Sequence, residues 1–115
     1  MKFKKATIDY RWSRETGHDV SGRYLMGLTY YPRRIENLYP GQRIVLEEGQ
    51  TYDYLEIDTN REGEGAFDAH IFMSQRPAYT FTFNGQVKDD YTVVRFYMDG
   101  FYWIFEYRLI SRENS

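Results

Sequence analysis

The chain has 115 residues, no cysteine and a formal net charge of −2, and 19% of its side chains are aromatic. Such a length fits one domain. The composition excludes a disulfide framework, thiolate metal centres, cysteine nucleophiles, wholesale disorder and a generally polycationic nucleic-acid binder.

Met1-Lys2-Phe3-Lys4-Lys5 has the basic start of a secretory signal, but Asp9, Arg11 and Arg14 interrupt any apolar stretch behind it. The longest uninterrupted apolar run, Phe101–Phe105, is too short to span a membrane. The expectation is a soluble, cytoplasmic protein without membrane association.

A period of two dominates the chain, which is the signature of strands. Ile8, Tyr10 and Trp12 alternate with Asp9 and Arg11. A second strand is expected over 20–31, with Tyr24, Met26, Leu28 and Tyr30 on one face. Ser13–Asp19 reads as a polar hairpin loop between them.

Pro32–Tyr39 breaks the alternation. Ile35, Leu38 and Tyr39 follow a helical spacing behind a proline, so at most one short helix is expected near residues 32–39. Pro40-Gly41 reads as a type II turn, because proline presets its φ and glycine supplies a positive one.

Strands are expected at Arg43–Glu47 and Thr51–Thr59, separated by Glu48-Gly49-Gln50. Leu55 and Ile57 face inward. Asn60–Gly65 is a polar loop. Ala66–Ser74 follows, with Phe67, Ala69, Ile71 and Met73 on one face, and Gln75-Arg76-Pro77 ends it. Tyr79, Phe81 and Phe83 then alternate with Thr80, Thr82 and Asn84. A longer loop through Gln86–Asp90 suits the next connection better than a tight Asn84-Gly85 turn, which would set Gln86 and Lys88 against Phe83 and Phe81.

Asp99-Gly100 is a type I′ hairpin signal between two aromatic runs. A two-residue loop pairs Met98 with Phe101, Phe96 with Trp103 and Val94 with Phe105, all apolar. The opposite face sets Tyr97 against Tyr102, Arg95 against Ile104 and Val93 against Glu106, with Arg95 and Glu106 placed to pair diagonally. The fold expected is one all-β domain over 1–115: an antiparallel sandwich or closed barrel of about seven or eight hairpin-connected strands.

Catalytic patterns are absent. His18-Asp19 and Asp68-x-His70 lack metal-ligand spacing, although Asp68 and His70 share a face. Ser13 or Ser21 with His18 and Asp19 lacks a nucleophile elbow. Tyr52, Tyr54, Glu56 and Asp58 read as one solvated strand face. No cofactor or metal is expected, and the chain reads as a non-enzyme.

Interface chemistry is abundant instead. Tyr91, Val93, Tyr97, Tyr102 and Ile104 form an aromatic-aliphatic face where a wet one is expected. Such a face is covered by another layer, joins copies into a homo-oligomer, or docks a protein or an apolar ligand. A second surface gathers Arg11, Arg14, Arg23, Tyr30, Tyr31, Arg33 and Arg34, within a first third that is markedly basic. Tyrosine and arginine are enriched at protein–protein hot spots, and they also serve single-stranded nucleic acid.

The leading expectation is a small non-enzymatic binding protein that docks on a protein partner in an accessory, inhibitor or immunity-type role. The alternatives are a barrel that carries a small apolar or aromatic ligand against Trp12, Phe96, Trp103 and Phe105, and a nucleic-acid binder using residues 11–34.

Overall fold

A computed structural model describes residues 3–18, 21, 24–29, 33–47, 49, 51–58, 66–84 and 86–114. The described residues form nine strands in two antiparallel sheets and contain no helix. The strands are β1 (Phe3–His18), β2 (Tyr24–Thr29), β3 (Arg33–Leu38), β4 (Arg43–Val45), β5 (Tyr54–Ile57), β6 (Ala66–Met73), β7 (Arg76–Asn84), β8 (Thr92–Met98) and β9 (Phe101–Asn114).

One sheet is built around β1 and β9, which pair along most of their length from Phe3↔Asn114 to Glu15↔Tyr102. The other side of β1 is shared: β3 takes its first half and β2 its second. β8 completes this five-stranded sheet beyond β9, and β4-β5-β6-β7 make a four-stranded meander. No ladder joins the two sheets among the described residues, so the arrangement is sandwich-like rather than a closed barrel.

The polar stretch from Ser13 is not a loop. β1 continues through it to His18, because β9 partners it as far as Glu15 and β2 from Ser13 onward. The helix expected near 32–39 is also a strand. Ile8 pairs with Ile35 and Ala6 with Leu38, so β3 carries one residue more than β1 between these pairs. That bulge turns two residues three apart toward the same face, which imitates helical spacing in the sequence. Leu38 is fully buried as a result. Thr7 Oγ1 donates to the Glu36 carbonyl at 2.9 Å within the same irregular stretch.

The turns follow local chemistry. Gly41 has φ 84°, and Gln42 N donates to Tyr39 O at 3.1 Å, as a type II turn requires. Asp99 and Gly100 both have positive φ, and the β8–β9 register matches the pattern expected from Met98↔Phe101 to Val93↔Glu106. The connection from β7 to β8 is long and passes a single bridge between Val87 and Leu109. The β6–β7 turn is tighter than the sequence suggests. Ser74 and Gln75 both take left-handed φ, and Met73 pairs directly with Arg76. The preceding loop supports this strained pair: Ser74 N donates to Asp53 Oδ1 at 2.9 Å, and Gln75 N to Tyr52 O at 3.0 Å.

The core lies between the sheets. β1 contributes Ile8, Tyr10 and Trp12; β9 contributes Phe105, Tyr107 and Leu109; the meander contributes Leu55, Ile57, Ala69, Ile71 and Phe83. Rings bridge the layers at Tyr79–Phe96, Phe81–Phe105 and Phe83–Tyr107, with centroids 5.4, 5.6 and 4.3 Å apart. Tyr10 adds a polar link, donating from its hydroxyl to the Val45 carbonyl at 3.2 Å. Burial raises the Tyr10 phenol above its ordinary value, and nearby Arg33 only partly opposes this. Tyr10 therefore stays a donor at neutral pH.

Candidate functional site

With the four-stranded sheet packed against one face of β8 and β9, the other face looks outward. Its composition follows from the strand period. β1 offers Asp9, Arg11 and Glu15; β9 offers Tyr102, Ile104, Glu106 and Arg108; β8 offers Val93, Arg95 and Tyr97.

The charges on this face pair across strands. Arg34 of β3 donates to both oxygens of Asp9, at 2.8 and 3.1 Å, and Arg108 of β9 donates to one of them from the opposite side. These contacts, with Arg34 foremost, hold the Asp9 carboxyl below its ordinary value against the opposing effect of burial. Arg11 meets Glu106 at 2.7 Å. Arg95 reaches over β9 to Glu15, donating at 2.9 and 3.2 Å. The diagonal Arg95–Glu106 pair expected from the hairpin alone does not form. β1 lies on the far side of β9 and supplies a better-buried carboxylate to one and a guanidinium to the other.

Aromatic rings fill the spaces between these pairs. Arg11 stacks 4.1 Å over Tyr91, with Arg108 at 5.1 Å from the same ring. Arg95 lies 3.6 Å over Tyr102, which meets Tyr97 edge-on at 5.2 Å. Of the five residues expected on this face, Val93, Tyr97 and Tyr102 are exposed, at 57%, 62% and 39%. Tyr91 is half-buried under its two guanidinium groups, and Ile104 is buried as a floor beneath the others.

The described arginines of the second expected surface do not share one face. Neighbours on a strand point oppositely, so Arg34 grips Asp9 while Arg33 donates to the Val45 carbonyl at 3.2 Å. Arg14 sits on the same face of β1 as Tyr10 and Trp12, stacked over Phe101 at 4.3 Å and Trp103 at 5.7 Å. Arg23, Tyr30 and Tyr31 lie outside the described residues, as do Asp19 and the Asn60–Gly65 loop.

The interior aromatics pack on one another. Trp12 stacks between Trp103 at 5.2 Å and Phe96 at 6.0 Å, and Phe105 lies against Tyr10 at 5.5 Å. On the outer side of the meander, Asp68 and His70 share a face as expected but take different partners. His70 lies 3.1 Å from Asp58 and 2.8 Å from Thr80, and Thr82 donates to Asp68 at 2.8 Å. These bonds brace three consecutive strands. No group of three metal-binding side chains comes together among the described residues.

Sequence reasoning missed Glu15 and the second role of Arg11. The signal was present as odd-numbered charges along β1, but their partners lie about 80 to 100 residues away on strands whose adjacency no local pattern records. No protein-family model matches the chain, and no curated protein or solved structure matches it.

Proposed function

We propose that this chain is a non-enzymatic binding protein that docks on a protein partner, in an accessory, inhibitor or immunity-type role, through the outer face of the β8–β9 hairpin. One observation carries the reading: Arg95 is clamped by Glu15 and lies 3.6 Å over the Tyr102 ring, which in turn meets Tyr97 edge-on.

An exposed tyrosine held this way has little rotamer freedom left to lose on binding. Tyrosine and arginine are also the side chains that most often anchor protein interfaces. Val93 widens the apolar part of the face, while Arg11, Glu106, Arg34 and Asp9 form a charged border. Most of those charges are already paired within the chain, which favours a partner that buries rings over one that supplies many phosphates. No helix among the described residues is long and apolar enough to cross a membrane.

Site-specific photo-cross-linking tests the reading. A photoreactive phenylalanine at position 97 or 102 is expected to capture a discrete protein from the native host, which the purified chain then binds on reconstitution. The same probe at Tyr39 or Tyr52, both about half exposed elsewhere, is expected to leave that protein uncaptured. Equal capture from all four positions would contradict the assignment.

A further inference from the structure

Backbone parity in the last hairpin determines what β8 offers to a neighbour. A two-residue I′ loop makes Met98 and Phe101 a hydrogen-bonded pair. Phe96, Val94 and Thr92 follow in the same phase, so their main-chain groups are spent on β9. The main-chain groups of Val93, Arg95 and Tyr97 therefore point the other way. Among the described residues β8 pairs with β9 alone, which makes that side a sheet edge.

Natural sheets protect such edges with proline, bulges or a charge standing on the strand. β8 has no proline and pairs with β9 without a register shift. Its single charge, Arg95, is drawn back across β9 to Glu15 and no longer stands guard. The side chains flanking it, Val93 and Tyr97, are among the most exposed apolar groups of the described residues. Tyr79 of β7 reaches β8 on the opposite face, at Phe96.

We propose that two copies of this chain join along β8, antiparallel about a two-fold axis at Arg95, merging their five-stranded sheets into one. The edge is self-complementary in that register. Val93 of each copy faces Tyr97 of the other, an apolar cross-strand pair made twice. The outward-pointing residues are the ones brought into register, giving about six main-chain hydrogen bonds, two for each hydrogen-bonded pair. The two Arg95 side chains meet as neutralised pairs with Glu15. Each Asp99, bonded to Arg76 at 2.9 Å, comes beside the Tyr91 end of the other copy, where Arg11 and Arg108 stack on the ring and pair with Glu106 and Asp9, so neutralised pairs meet at both ends.

The pairing shares the hairpin with the docking reading but uses its main chain, so the two fail separately. The test is light scattering on the full chain after size exclusion, up to about 100 μM. Wild type is expected at twice 13.9 kDa. Val93→Pro removes an outward N–H and spares the β8–β9 ladder, so it is expected to be folded and monomeric. Val93→Lys, which restores a guarding charge, is expected to be monomeric too and serves if the proline variant does not fold. A monomeric wild type would overturn the proposal, and so would a dimer that survives either substitution. Neither result bears on cross-linking of a different protein from position 97 or 102.

Discussion

Glu15 on β1 holds Arg95 on β8 through two hydrogen bonds, 2.9 and 3.2 Å long, although β9 runs between their strands. The Glu15 side chain is 2% exposed and that of Arg95 32%, so the pair is buried from one side and wet from the other. Three strands are thereby fastened at one point, with the Tyr102 ring held beneath the guanidinium.

Removing the carboxylate should loosen that point. Glu15→Ala is expected to destabilise the fold by about 2 kcal/mol, the range for hydrogen bonds to a charged partner. Glu15→Gln should cost less, because it keeps one acceptor. Urea unfolding of the three proteins gives the order directly.

Acid should act through Asp9. Its carboxyl is held below the ordinary value of 3.8, first by the Arg34 hydrogen bonds and then by Arg108. A depressed carboxylate contributes stability that is fully present above the unfolded value and is lost as pH falls through the folded one. Stability should therefore drop as pH falls below about 4. Asp9→Asn should flatten that drop in a series of melts between neutral pH and strong acid.

Tyr10 gives the opposite signature at the alkaline end. Its raised phenol keeps its proton in the native state while the unfolded chain releases one, so stability should fall as pH rises above the ordinary value of 10. Tyr10→Phe should lessen that fall. At neutral pH the same variant should cost about 1 kcal/mol for the lost bond to Val45. Arg33 still reaches that carbonyl and limits the penalty.

The Ser74-Gln75 turn is strained because both residues lack the conformational freedom its geometry demands. Asn and Gly are the residues that type I′ loops prefer. Ser74→Asn with Gln75→Gly is expected to raise the melting temperature by several degrees, on the order of 1 kcal/mol. Asp53→Ala should lower it, since Ser74 N loses its acceptor.

Much of the fold was legible because it rests on local rules. Alternation placed the strands, Asp99-Gly100 fixed the last hairpin in register, and Pro40-Gly41 marked its turn. The failures share a cause as well. Ser13–Asp19 looks like a loop until β9 and β2 give β1 neighbours, and Ile35 with Leu38 looks helical until a bulge is known. The Tyr97–Tyr102 pair of the candidate face follows from the hairpin alone. Its clamp does not, because nothing near Arg95 in the chain points to Glu15. Arg33 and Arg34 group together where a helix is expected, but as neighbours on a strand they turn to opposite faces.

On the proposed reading, Tyr97 and Tyr102 are exposed for binding and not for folding. Tyr97→Ser with Tyr102→Ser tests it most directly, compared with wild type for thermal melting and for capture of the purified partner, once cross-linking has identified it, on the immobilised chain. The double variant is expected to melt within a few degrees of wild type, as for surface substitutions, and to lose capture. Undiminished capture by the folded double variant would contradict it.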